Sequence, residues 1–398
     1  MALVGTSSQK KSASSFRSHW IEAGAVLAAI VLVPIAFQTL SRFTYPFAFL
    51  LGFNDFAGNL GGSAGTTDVG WEVAASRALL DPGVSAYAPL SEVAALINMA
   101  GDSWQANSHP PTALPLGIPL AFAPYSWWLP CWMIAMICTM AITMRIMGTP
   151  IWAAYPTALV LGLTSQGQNV LTGTYPVMGI ALALAWRYQG RSNIAGIAYA
   201  VIAASRGVGI VLLLYPLARR RWRTVIITLT TVAVLAFIAI LIEPTVVSGF
   251  LDAGRASITF NLELPILTPS ALLIDAGLPS WAAWLAVPAI TVAALMRRRS
   301  LFWVTAWLSF AISPVAWPHS FAMALPLAVV IWRSGGLGVA LMILSAAPLL
   351  GNTSHVVIVW PVFLGLSAIA LFLCRLDDEP TSASQSHPPP MPSRMLSP

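Results

Sequence analysis

The sequence predicts an all-α polytopic membrane protein with about ten transmembrane helices plus re-entrant or broken segments, and three observations carry that reading. Hydrophobic residues make up 57% of the chain and charged residues only 9%, against roughly 25% charged in an average soluble domain. So few charges cannot dress a water-facing surface. Apolar runs such as Ala23 to Thr39, Thr224 to Ile242 and Val356 to Cys374 approach the about 20 residues with which a helix crosses a hydrocarbon core of about 30 Å. The basic residues stand in short clusters between these runs, a pattern of cytoplasmic loops rather than the single basic face of a nucleic-acid-binding protein.

Taken in order, residues 1–20 read as a cytoplasmic tail, 21–375 as the transmembrane domain, and 376–398, rich in Ser and Pro, as a disordered cytoplasmic tail. The first apolar run follows Lys10, Lys11 and Arg17 as a signal peptide would, but the many later runs make it a retained helix near Glu22 to Thr39. If that helix crosses outward, the clusters at Arg145, Arg187 and Arg191, Arg219 to Arg223, Arg297 to Arg299, Arg333 and Arg375 all return inside on one condition. Pro111 to Pro124 and Asn193 to Ala218 must each enter the membrane and leave by the same side. The first contains four prolines and the second is interrupted by Arg206, Gly207 and Gly209, so both suit broken helices. Sixteen of the twenty Lys and Arg then lie inside and ten of the fourteen acids outside. The outer face carries two loops, near 40–110 and 243–280. In the first, Val73 to Leu80 reads as an amphipathic stretch lying along the interface. Cys131, Cys138 and Cys374 have no metal spacing and read as lipid-facing or packed thiols.

An ionisable residue among apolar helices costs at least about 2.5 kcal/mol, so each one asks for a reason. Asp68, in Thr67-Asp68-Val69-Gly70-Trp71-Glu72, is either a general base for a hydroxyl or a helix cap. His109, in Ser108-His109-Pro110-Pro111, is a ligand or acceptor contact or else an imidazole anchoring a turn. Arg206, at the apex of the broken helix between Ser205 and Gly207, is a phosphate ligand or an arginine that snorkels to the interface. His319, closing Ser313-Pro314-Val315-Ala316-Trp317-Pro318-His319, is a binding residue or part of a turn. In Gln166-Gly167-Gln168-Asn169 the amides of Gln168 and Asn169 suit sugar hydroxyls, as short polar turns in general also do. One topology brings all of them to one face. The chain has no Walker loop, dinucleotide fingerprint, zinc spacing or Ser-His-Asp order. No cofactor, no metal and no nucleic-acid partner is expected.

From about Asp68 to Pro326 the order of these elements resembles glycosyltransferase family 87, integral-membrane enzymes that include polyprenyl-phosphate-mannose-dependent mannosyltransferases. Asp68 is followed by the small-residue stretch Ala74-Ala75-Ser76-Arg77-Ala78-Leu79-Leu80 and by Gly83 to Tyr87. His109-Pro110-Pro111 matches an aromatic-Pro-Pro motif, with histidine in place of the usual tyrosine. Gly167-Gln168-Asn169 matches Gly-Gln-x-Asn with the asparagine one position early, and Arg206 stands for a lysine. Of a Phe-Asn-Gln-Ser element only Phe260-Asn261 is present, whereas Ser313, Pro314, Trp317 and His319 match their motif fully.

The resemblance implies a GT-C-like fold and transfer of a hexose, mannose first, from a polyprenyl-phosphate-sugar donor to a glycolipid or glycan acceptor. The transfer would invert the anomeric carbon on the extracytoplasmic face of a multi-pass protein in an actinobacterial-like cell membrane. It makes Asp68 the base, Arg206 and His319 ligands of the donor phosphate, and Gln168, Asn169, Asn261 and His109 contacts to sugar or acceptor. Arabinofuranosyl or another polyprenyl-linked sugar is the nearest alternative. A secondary transporter or flippase of lipid-linked sugars, or a membrane scaffold, is the alternative of another class. A transporter would hold its ionisable residues near the midplane.

Overall fold

The computed structural model describes residues 67–99, 107, 109–123, 125–162, 170–263, 301–311, 321–335, 338, 365–371, 373 and 376. Every regular element among them is helical. Twelve α-helices are used below, α1 Asp68–Ala78, α2 Leu90–Val93, α3 Leu114–Gly117, α4 Tyr125–Ile146, α5 Ile151–Gly162, α6 Tyr175–Arg187, α7 Ser192–Ser205, α8 Leu214–Ala218, α9 Trp222–Ile242, α10 Val246–Glu263, α11 Leu301–Ala311 and α12 Phe321–Arg333.

Among the described residues two helices are long and apolar enough to cross a membrane, Trp128–Ile146 within α4 and Trp222–Ile242. At 1.5 Å per residue the 21 residues of α9 extend about 31 Å, the thickness of the hydrocarbon core. From Ile226 onward the outward side of α9 is apolar but for Thr230, with Ile226, Phe237 and Leu241 each about 60% exposed or more. A face of that size needs an apolar surrounding. Helices α7, α11 and α12 are apolar but shorter. The run at Ala23 to Thr39 lies outside the described residues, and the last one is described only as helix at 365–371.

Contacts between helix ends fix their directions. Trp132 Nε1 donates to Gly173 O at 3.3 Å, and a Cβ on Gly179 would meet Ala322 O. Helices α4, α6 and α12 therefore run parallel. The far ends of α4 and α12 meet where Arg333 Nη1 donates to Met147 O, beside the turn that Arg145 Nη1 braces by donating to Thr149 O at 3.0 Å. Arg221 Nη1 reaches Gln189 Oε1 at 3.1 Å beside them in the chain order α6, α7, α9. One end of the bundle thus gathers Arg145, Arg187, Arg221 and Arg333.

The segment from Ser192 to Ala218 goes out and comes back. Helix α7 ends at Ser205, Arg206 is extended (φ −141°, ψ 115°), and a 3₁₀ stretch, Gly207–Leu213, leads into α8. Gly209 lies so close to the preceding helix that a Cβ there would stand 2.8 Å from the carbonyl of Ile202. Tyr215 then donates from its hydroxyl to Gln189 Oε1 at 2.5 Å, back at the level from which α7 started. Residues Pro111 to Ala123 likewise form only short pieces, α3 and the 3₁₀ turn Ile118–Leu120. They begin where Thr112 Oγ1 donates to Ala204 O at 2.8 Å.

One expectation changes. The stretch expected along an interface belongs to α1, whose Val69, Val73, Ala74, Ala75, Ser76 and Ala78 are all buried. Its alanines and Gly70 let α2, α3 and their flanking turns pack around it, so it is an internal helix. Within the stretch expected as the second outer loop, near 243–280, the described part is mostly one helix, α10 of 18 residues. Cys131 and Cys138 are exposed free thiols on α4, as lipid-facing residues would be, while Cys374 and both chain termini lie outside the described residues.

Candidate functional site

Helix α1 owes its start to Thr67, whose Oγ1 accepts from Gly70 N at 3.1 Å and shares a hydrogen bond of 2.8 Å with the Tyr125 hydroxyl. Thr67 is the cap, so Asp68 is the first helical residue and not the cap that its sequence position allowed. Its negative charge suits the positive end of the helix. Val69 N donates to Thr172 O at 2.7 Å, tying this first turn to the start of α6.

One turn on, Glu72 lies on the same side of α1 as Asp68, because residues four apart share a helix face. Glu72 Oε1 stands 2.8 Å from His109 Nδ1 and accepts from Thr174 Oγ1 at 2.9 Å. The Glu72 side chain is only 14% exposed and that of His109 7%. His109 is locked from its backbone as well. Tyr87 donates to its carbonyl at 2.7 Å and Asn107 Oδ1 accepts from its N–H at 3.0 Å. Burial, and after it the nearby Glu243 carboxylate, push the Tyr87 phenol above its ordinary range, so it remains a donor at neutral pH.

Arg206 comes to the same place from the apex of the broken helix. Its Nη2 donates to the Tyr175 hydroxyl at 2.5 Å, and its guanidinium carbon lies 4.9 Å from the centre of the Tyr175 ring, a cation–π geometry. Glu72 and Asp68 are the carboxylates near enough for it to feel their charge. Its Nε is buried and has no hydrogen-bond partner among the described residues. Buried N–H groups are nearly always paired, so this donor is one that a ligand atom can fill.

Asp68, His109 and Arg206 are therefore brought together from three separate parts of the chain. Gln168, Asn169 and His319 lie outside the described residues. Asn261 belongs to α10, and its side chain also lies outside them. Glu72, Thr174 and Tyr175 belong to the cluster but were not singled out in the sequence. Glu72 could have been, since a carboxylate four residues after Asp68 shares its face. Nothing marks Thr174 or Tyr175 short of knowing that α6 begins beside α1. Among the described residues no group of three or more His, Cys, Asp or Glu is placed to hold a metal ion.

At the other end of α1 a cavity of about 310 Å³ opens between Ala78 to Ser85 and Ile242, Glu243 and Thr245. Glu243 joins its walls by accepting from Ser85 Oγ at 3.0 Å and Ala86 N at 3.3 Å.

The family model for glycosyltransferase family 87 matches residues 107–300 and supports the family that the motifs resemble. The matched stretch contains His109, Gln168, Asn169, Arg206 and Asn261, while Asp68, Glu72 and His319 fall beyond it. No curated protein and no solved structure matches the chain.

Proposed function

We propose, for a chain of glycosyltransferase family 87, that it moves a hexose, mannose in the first instance, from a polyprenyl-phosphate-sugar donor to a lipid-linked or polysaccharide acceptor. The transfer takes place at the extracytoplasmic face of the cell membrane and inverts the anomeric carbon. The observation that supports this best is the meeting of a carboxylate and a guanidinium with an unfilled N–H at the acidic end of an apolar helix bundle. That pairing fits the two demands of the reaction.

Asp68 takes the proton of the acceptor hydroxyl as its oxygen bonds to the anomeric carbon. The bond from that carbon to the phosphate oxygen breaks, and the polyprenyl phosphate leaves with the electron pair. Negative charge grows on the departing phosphate, where Arg206 stabilises it through charge-assisted hydrogen bonds. Tyr175 holds the guanidinium in place through the hydroxyl contact and the ring face. His319 completes the phosphate site in this reading, and Gln168, Asn169, Asn261 and His109 contact sugar or acceptor. A lipid-phosphate donor needs no nucleotide-binding loop, in keeping with the absence of one from the sequence.

The test is transfer itself. Membranes containing the chain, given radiolabelled polyprenyl-phosphate-mannose and a total lipid extract, are expected to form a new labelled glycolipid that membranes without it do not. Label that stays wholly in the donor overturns the reading.

A further inference from the structure

Glu72 is the charged member of the cluster to which neither the motifs nor the family match gives a role. Thr174 Oγ1 donates to its Oε1 at 2.9 Å, and His109 Nδ1 lies 2.8 Å from the same oxygen, an ion-pair distance without an aligned hydrogen bond. They set the orientation of the carboxylate and leave Oε2 with lone pairs to offer. With the side chain 14% exposed, Oε2 can be reached by an incoming donor, and a hydrogen bond to a charged oxygen is stronger than one between neutral groups. Glu72 also belongs to the Arg206 side of the site. Thr174, which holds it, is the chain neighbour of Tyr175, which holds Arg206. Glu72, like Asp68, lies near enough to Arg206 for the guanidinium to feel its charge.

We propose that Glu72 Oε2 accepts a hydrogen bond from a ring hydroxyl of the transferred sugar, and so helps decide which sugar the site takes. The inference rests on the lipid-phosphate donor reading above, since the sugar is joined directly to the phosphate that Arg206 holds. A carboxylate beside that phosphate costs repulsion, which the Arg206 charge offsets. His109 and Thr174 serve as positioning residues, because a carboxylate that could rotate would lose the geometry on which discrimination depends.

The experiment compares polyprenyl-phosphate-mannose with its singly deoxygenated analogues, using wild type, Glu72→Ala and Glu72→Gln of matched thermal stability. Wild type is expected to lose roughly 10- to 150-fold in kcat/KM on one deoxy donor, the effect of one hydrogen bond to a charged group. Glu72→Ala is expected to be slow on the parent donor and no slower on that analogue, so that its ratio falls to about one. The ratios at the other positions should not move. Glu72→Gln keeps the shape and an oxygen for Thr174, and is expected to show an intermediate ratio should the alanine variant fold poorly. A purely structural role lowers every donor alike, so unchanged ratios in both variants overturn the proposal, as does a wild type that discriminates at no position. A wild type that transfers none of the donors instead overturns the donor reading itself, and this proposal with it.

Discussion

In the proposed transfer Asp68 removes a proton and Arg206 stabilises the charge that grows on the leaving phosphate, and each assignment has its own signature. Asp68→Asn keeps the size and polarity of the side chain but removes the basic oxygen, so transfer is expected to fall about 100-fold or more in a protein that remains folded. Asp81→Asn is the matching control. Asp81 stands just beyond the opposite end of α1 and accepts from Gly83 N through Oδ1, a bond that asparagine can also make. Equal losses in the two variants would show that carboxylates near α1 serve the fold rather than the reaction. For Arg206, an arginine that merely reaches for the lipid surface needs only charge and length. A phosphate ligand predicts that Arg206→Gln weakens donor binding by roughly 10- to 150-fold without lowering the melting temperature, and that Arg206→Lys recovers much of it. Donor titration in detergent reads this directly. Equal affinities for wild type and Arg206→Gln would make Arg206 an anchor.

At the scale of the element, the broken helix matters because it puts Arg206 at its apex, and the apex depends on how tightly the returning strand of chain approaches α7. Gly209 permits that approach. A methyl group there would stand 2.8 Å from the carbonyl of Ile202, which is main chain and cannot swing aside. Gly209→Ala is therefore expected to cost about 1 to 3 kcal/mol, seen as a lower melting temperature. It should also displace Arg206, so that donor affinity falls although no group that touches the donor has been changed. Retained affinity together with the stability loss would separate the packing of the return from the placement of the guanidinium. Helix α1 is the other element on which the site depends. Thr67 caps it, Tyr125 and Thr172 tie its first turn to α4 and α6, and Asp68 rides on that turn with Glu72 one turn on.

For the whole molecule, Asp68, Glu72, Asp81 and Glu243 gather at one end of the bundle, with Arg77 and Arg206 among them, and the arginines of α4, α6, α9 and α12 lie at the other. The inside-positive arrangement predicts which end faces out. In a chain with its three cysteines replaced by serine, Gly83→Cys is expected to react with an impermeant thiol reagent added outside intact cells. Gly190→Cys, exposed with open space around it, is expected to react only after the cells are opened. Labelling of the second from outside would reverse the topology and move the proposed site to the cytoplasm. What the sequence determined by itself was what depends on local composition. Apolar run lengths gave the helical class, Arg206 between Ser205 and Gly207 marked the break, and the motif residues Asp68 and His109 pointed to their own site. Those signals are local because hydrophobic length and glycine freedom act within one segment. The tertiary structure alone decided that α1 is an internal helix and that Glu72, Thr174 and Tyr175 join Asp68 and Arg206. These depend on which helix ends meet, and that is set by packing among residues far apart in the chain, where small side chains let backbones close upon one another.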